Sequence, residues 1–302
     1  MKAVVLSGFG RSGSLELLEV EKPLPKKDEL LIRIRATTVT SGDVIVRKLP
    51  FPIRIGLRLA FGPDRILGHE LAGDIESVGG EVTRFRKGDA VYASTGYAGG
   101  ANAEFICLPE TGTVALKPAN LTFEEAAAVP IGGLTALHFI TRAAIQPGQS
   151  VLIYGASGSV GSYAVQLARH SRAEVTGVCS TANLKWVQAL GADRVIDYTK
   201  DDFSKSGETY DVVFDAIGKT SASQFKRALR EKGTYLSVRS PSSENAEGLA
   251  FLKGLIEAGT LKPVIDRRYQ MEQVAEAHRY VETGRKKGNV VLVVGHPPRS
   301  GQ

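Results

Sequence analysis

The sequence has only two cysteines, Cys107 and Cys179, among 302 residues, so no disulfide framework holds it together and a reducing cytoplasm suits it. It has no apolar run near the roughly 20 residues that cross a bilayer. The longest, over 126–134, is interrupted by Pro130, Gly132 and Gly133. The opening Lys2-Ala3-Val4-Val5-Leu6 lacks the basic region, long apolar core and cleavage site of a secretory signal. These absences predict a soluble, cytoplasmic protein without a membrane span. Blocks of like charge are also missing: the formal net charge is +6, with Lys and Arg spread along the chain. A mild positive field suits anionic cofactors and does not call for nucleic acid as the main partner. What is present, 43% hydrophobic and 23% charged residues, is ordinary globular composition at a length that allows two domains.

The rhythm of the chain changes once. Over residues 1–120, short strand-like runs at 30–35, 71–78, 90–93 and 103–108 are separated by Gly, Pro and Asp, the spacing of a β-rich barrel or sandwich. Over 121–262, strands at 150–154, 174–178, 194–197, 212–215 and 234–238 alternate with helix-like stretches at 160–170, 182–190, 224–229 and 249–258. That alternation predicts a parallel, doubly wound α/β sheet. A third segment, 263–302, carries an amphipathic stretch at 271–281 and a last strand at 290–294.

The sharpest local signal is the strand Ser150-Val-Leu-Ile-Tyr154, followed by Gly155-Ala156-Ser157-Gly158-Ser159-Val160-Gly161 and then an apolar helix. Glycines let the backbone turn sharply and approach a pyrophosphate, while the helix N-terminus presents N–H groups to the anion. The spacing is G-x-x-G-x-x-G, and glycines at a tight turn also serve the turn alone; the strand before and helix after point to a dinucleotide. An NAD-specific site places an acid at the end of the next strand. Here that position reads Val178-Cys179-Ser180-Thr181, and the first charge after it is Lys185. A charge-assisted bond from Lys185 to a 2′-phosphate is worth about 1.5–3 kcal/mol, or roughly ten- to a hundredfold in affinity. NADPH is therefore expected over NADH, with Ser180 as the remaining contact if Lys185 is merely solvated.

Five segments in register carry a family resemblance: Leu67-Gly-His-Glu-Leu-Ala-Gly73, Gly79-Gly-Glu-Val-Thr-Arg-Phe-Arg-Lys-Gly-Asp-Ala-Val91, Leu134-Thr-Ala136, Cys179-Ser-Thr181 and Leu190-Gly-Ala-Asp-Arg-Val-Ile-Asp-Tyr198. With the glycine turn, they resemble the medium-chain dehydrogenases and reductases, in the zinc-free, quinone-oxidoreductase-like branch. The resemblance implies a GroES-like catalytic domain over 1–120, a Rossmann domain over 121–262, return of 263–302 to the catalytic domain, and a cleft where nicotinamide meets substrate. It places Thr40, Ser41, Asp43, His69 and Tyr92 as catalytic candidates, with Tyr97 nearby. Beyond the glycine turn, it assigns cofactor contacts to Thr135, Ser180, Lys185, Tyr198, Ala216, Ile217, Gly218, Ser237 and Asn289. Each catalytic candidate also has a purely structural reading: Asp43 as a helix cap, His69 as a satisfied core histidine, Tyr92 as a barrel residue.

Zinc enzymes of this superfamily hold the metal with a Cys, the His of Gly-His-Glu, and a second Cys or Asp. Here Thr40 stands at the first position and Ile131-Gly132-Gly133 at the third, while zinc needs about three or four protein ligands. No metal is expected. Without one, the easier chemistry is hydride delivery from NADPH to an acceptor already electrophilic, a quinone or the β-carbon of an enone or alkenal. A low-turnover NADPH-binding protein contacting RNA is the alternative from another class.

Two departures from the resemblance stand out. The chain runs from Val238 through a short polar stretch into a helix, where family members continue for roughly thirty residues with a strand that often pairs in a dimer; a monomer or atypical dimer follows. The apolar segment 51–61, carrying Arg54 and Arg58, reads as a lid over a bulky apolar acceptor, a membrane-surface contact or a packed loop.

Overall fold

The computed structural model describes residues 1–6, 15–49, 53, 66–219 and 221–296; apart from Ile53, the segment 51–61 considered above lies outside them. The chain forms two compact units, one of Met1–Pro130, Asn245–Ala250 and Ile265–Gln302, the other of Ile131–Glu244 and Phe251–Val264. Among the described residues, no helix is long and apolar enough to cross a membrane.

The first unit opens with β1 (Lys2–Leu6) paired antiparallel to β2 (Leu15–Glu19). In β3 (Glu29–Thr38), Leu30, Ile32 and Ile34 repeat with period two and are buried, as a strand with one face on a core requires. Helix α1 (Ser41–Arg47) follows directly, started by the capping box of Thr40 and Asp43, which satisfies two backbone donors at once. Strands β4 (Glu70–Val78), β5 (Ala90–Ser94), β6 (Phe105–Pro109) and β7 (Val114–Leu116) complete the first run, and helix α2 (Phe123–Ala127) closes it with a second capping box, Thr122 and Glu125.

The second unit begins with α3 (Pro130–Ala143). It continues through β8 (Ser150–Tyr154), α4 (Ser159–His170), β9 (Glu174–Cys179), α5 (Leu184–Ala189), β10 (Arg194–Asp197), β11 (Tyr210–Asp215), α6 (Ala222–Arg227) and β12 (Leu229–Ser237). The five strands lie parallel in the order β10-β9-β8-β11-β12, the strand order 3-2-1-4-5 of a doubly wound nucleotide fold. After β12 the chain passes through a turn into α7 (Ala246–Glu257) without a sixth strand, and β12 is the sheet's edge. Its edge residues Arg230, Glu231 and Lys232 are charged and exposed, which discourages edge-to-edge pairing.

Chain then returns to the first unit as β13 (Ile265–Gln270), α8 (Val274–Glu282) and β14 (Asn289–Val293). Strand β14 pairs antiparallel with β3, and the sheet runs β13-β14-β3-β4-β5-β7 with β6 also on β3. Met271, Val274, Ala277 and Val281 form a buried stripe at helical spacing, each larger side chain contributing about 1.5–3 kcal/mol of burial; this is the amphipathic stretch expected at 271–281.

Candidate active site

In the second unit, Tyr154 at the end of β8 lies in register with Val178 of β9 and Asp215 of β11. Three strand ends therefore sit side by side, the edge at which such sheets bind ligands. Gly155 leaves β8 at φ +81°, and a Cβ there would stand 2.4 Å from Ile217 Cγ1. A Cβ on Gly161 would stand 2.1 Å from the Gly155 carbonyl oxygen, so only glycine lets α4 pack against the turn. Helix α4 starts at Gly158, which gives no side-chain cap, and its first turn has no acid. A tightly packed glycine turn at a helix N-terminus with no competing carboxylate fits a dinucleotide diphosphate.

The neighbours of this turn are fixed by hydrogen bonds. Gly155 and Ala156 N–H both donate to Val178 O, at 3.0 and 3.1 Å, and Gly158 N–H donates to Gly155 O at 3.0 Å. Buried Asp215 accepts from Ile217 and Gly218 N–H at 3.0 and 2.9 Å and from the Ser237 hydroxyl at 3.3 Å, which shapes the Ala216-Ile217-Gly218 turn. A Cβ on Gly132 of α3 would be 2.4 Å from Ser159 Oγ, so α3 packs directly on the start of α4, a role the sequence signals only as paired glycines. Thr135, three residues on, is half-buried. Ser157 and Val160 are half-buried in the turn. Asn289 belongs to the first unit, buried at the start of β14 opposite Ile265.

At the end of β9 the structure adds two groups that the linear sequence hides. Asp197 at the end of β10 stands opposite Cys179, so an acid does lie beside Ser180-Thr181. Its carboxylate accepts from the Thr181 hydroxyl at 2.5 Å and from the Thr199 hydroxyl and N–H at 2.7 and 3.0 Å. The Thr181 bond, more than any other, holds its carboxyl below the usual range. Ser180 Oγ meets Asn183 Nδ2 at 3.0 Å. Lys185 is exposed and Tyr198 half-exposed. Helical spacing of Asn183 and Trp186 is the one signal that could have been read in advance.

In the first unit, Asp43 is wholly buried. One carboxylate oxygen accepts from Thr40 N–H and hydroxyl, both at 2.7 Å, and the other from Gly68 N–H at 3.0 Å. His69 Nδ1 lies 2.8 Å from Gly96 O; a carbonyl can only accept, so the proton sits on Nδ1. Nε2 then faces Asp43 at 3.4 Å, and protonation there would complete an ion pair. Asp43 is thus both the helix cap and the partner of His69. Ser41 is exposed at the first turn of α1, and Tyr97 is 86% exposed in the loop that follows β5. Tyr92 is fully buried and its hydroxyl donates to Leu249 O at 2.5 Å: it is a barrel residue with its polar hydrogen engaged.

Behind Asp43 lies a buried group absent from the candidates. Arg47 is 1% exposed and pairs with Glu282 at 2.6 Å, while its Nε and Nη1 and both ring nitrogens of His278 are buried without hydrogen-bond partners. Burial draws the His278 pKa down to about 4, against the pull of Asp43. The Arg47–Glu282 pair joins residues 235 apart in sequence, beyond the reach of any local pattern.

Among the described residues, the donors do not fit zinc. Glu70 is buried and accepts from the Thr38 hydroxyl at 2.6 Å, both Asp43 oxygens are engaged, and among the described residues no group of three or more His, Cys, Asp or Glu could hold a metal. Burial pushes the Cys107 and Cys179 thiols up to about 11. A recess of about 360 Å³ lined by Gln149, Asp211 and Arg230 opens at the amino ends of β8, β11 and β12, the edge opposite the glycine turn, and is separate from this site.

Comparison with known proteins gives the family. Residues 26–119 match the alcohol dehydrogenase GroES-like domain, and 159–261 and 239–292 match models described as zinc-binding dehydrogenase. The chain is 33% identical to 2-methylene-furan-3-one reductase of Solanum lycopersicum, over 94% of this chain and 77% of that protein. It is 32% identical to the chloroplastic NADPH-dependent alkenal/one oxidoreductase of Arabidopsis thaliana, over 97% and 79%. The solved quinone oxidoreductase of Coxiella burnetii superposes with a TM-score of 0.87 at 26% identity, covering 98% of this chain and 99% of that one. The chain belongs to the medium-chain dehydrogenase/reductase superfamily, in its quinone-oxidoreductase-like branch.

Proposed function

We propose that this protein is an NADPH-dependent oxidoreductase that delivers hydride, without zinc, to an electrophilic acceptor: a quinone, or an enone or alkenal. The observation that carries the reading is the glycine turn, where Gly155 and Gly161 let the backbone pack closely at the uncapped start of α4. Relatives named for NADPH-dependent alkenal/one oxidation–reduction and for quinone reduction support the cofactor and both acceptor classes.

Reduced nicotinamide, when bound, supplies the hydride. The chain's own residues then bind, orient and supply a proton. The glycine turn and the N-terminus of α4 take the diphosphate, with Ala216, Ile217 and Gly218 shaping the adjacent turn, and Ser180 and Lys185 take the 2′-phosphate. In the first unit, His69 can carry a proton on Nε2 toward Asp43, and the exposed Ser41 hydroxyl can donate one to a product oxygen or carbon. Thr40 acts through its bond to Asp43. Tyr92 has no part in the proposal, because its hydroxyl is engaged in the interior. We assign dinucleotide binding to the unit built on residues 131–244 and proton handling to the GroES-like unit. A cytoplasmic monomer or atypical dimer, with no nucleic acid as main partner, fits the scattered charge and the charged edge of β12.

The test is NADPH oxidation with a panel of quinones and enones before and after chelation. Turnover that survives chelation, with no zinc found by metal analysis, is expected. Stoichiometric zinc needed for turnover would overturn the zinc-free reading, and enone turnover with quinones inert would favour the double-bond reductase.

A further inference from the structure

The hydrogen bonds around Ser180 have a fixed direction. The indole Nε1–H of Trp186 can only donate, and it reaches Asn183 Oδ1 at 3.1 Å. This fixes the amide: its carbonyl faces the indole and its NH₂ faces Ser180. Asn183 Nδ2 donates to Ser180 Oγ at 3.0 Å, and Asn183 N–H ties to Ser180 O at 2.8 Å. Asn183 is only 8% exposed, which holds the relay in place. Ser180 Oγ accepts from within through one lone pair, which leaves its own hydrogen to be offered outward beside one remaining lone pair.

The adjacent carboxylate cannot play the opposite role. An NAD-type site presents an acid that accepts from the ribose hydroxyls, and Asp197 stands opposite Cys179. Both its oxygens already accept, from Thr181 and Thr199, and the residue is buried. The strand end therefore presents a donor hydroxyl, and one turn later the exposed cation of Lys185, with no exposed carboxylate among these groups. That polarity matches a phosphate, whose oxygens accept, and not a ribose hydroxyl seeking an acceptor.

We propose that Asn183 and Trp186 are positioning residues that fix Ser180 as a hydrogen-bond donor and thereby set selectivity for a 2′-phosphorylated dinucleotide over its unphosphorylated counterpart. The inference rests on the dinucleotide reading above and goes beyond it by naming what sets the selectivity. Neither residue needs to touch the nucleotide; both act through Ser180.

Trp186 is the only tryptophan in the chain, so its fluorescence reports binding beside the site. The full-length protein is titrated with NADP⁺ and with NAD⁺, followed by this fluorescence and by calorimetry. In Asn183→Leu the ratio of NADP⁺ to NAD⁺ affinity should fall at least about tenfold, the loss of one charge-assisted bond, with NAD⁺ affinity unchanged. Trp186→Phe, which leaves the amide free to turn, should lower the ratio in the same direction by less, read by calorimetry; this conservative variant serves if Asn183→Leu fails to fold. Equal loss for both nucleotides, or an unchanged ratio, would reduce the relay to a structural prop and overturn the inference. Wild-type preference for NAD⁺ would also overturn it while leaving the oxidoreductase reading intact. Wild-type protein that binds neither nucleotide would remove that reading itself.

Discussion

The two units build polar sites from different materials. In the second, the glycine turn is backbone: Gly155 and Gly161 matter for the side chains they lack, and α4 supplies the field. In the first, Asp43, His69, Arg47 and His278 are buried side chains that depend on one another across long sequence separations. A backbone site tolerates loss of side chains but not added ones; a buried side-chain network responds to the loss of any partner and to protons.

The largest effect that should expose this contrast is Gly161→Val. Its Cβ would meet the Gly155 carbonyl at 2.1 Å, backbone that cannot give way, and we expect a loss of at least about 3 kcal/mol in denaturant unfolding. A wild-type midpoint would show that the turn has slack and that the contrast is false.

Protons should act mainly on the first unit. His278 is held down to about 4 by burial, whereas the unfolded chain takes up its proton near 6.5. Stability is thus fully present above about pH 6.5 and falls as pH drops toward 4, by up to about 3 kcal/mol. His278→Leu should flatten that slope in denaturant unfolding at pH 7, 5.5 and 4.5. An unchanged slope would mean that other groups govern acid sensitivity.

Glu282→Ala should lower stability by about 2 kcal/mol, because Arg47 is left buried with no acid. The figure sits below the range for fully enclosed pairs since Glu282 is 34% exposed at its side chain. An unchanged melting temperature would show that Arg47 finds another partner. Ser157→Ala, inside the glycine turn, should change stability by less than about 0.5 kcal/mol; a larger loss would mean the turn relies on side chains after all.

The same contrast explains what could be read from sequence. Strands of the doubly wound sheet and the turn at 155–161 announce themselves through apolar runs and glycines at fixed spacing, since local backbone geometry dictates both. The strand at 234–238 is longer in the structure, starting at Leu229, because pairing with β11 extends it beyond its apolar core. In the first unit, the cap of Thr40 and Asp43 is local and legible, but the approach of His69 to Asp43 and of Glu282 to Arg47 depends on strand order. Asp197 shows the limit most clearly: it is seventeen positions beyond Ser180 in sequence, yet strand pairing sets it beside that residue's neighbour.

Uptake of a reduced pyridine nucleotide by the folded chain is the central requirement. Isothermal calorimetry of metal-free protein, with folding checked by circular dichroism, should show NADPH binding at one molecule per chain. Absence of binding heat from either NADPH or NADH across a range of temperatures, in protein with an intact spectrum, would contradict it.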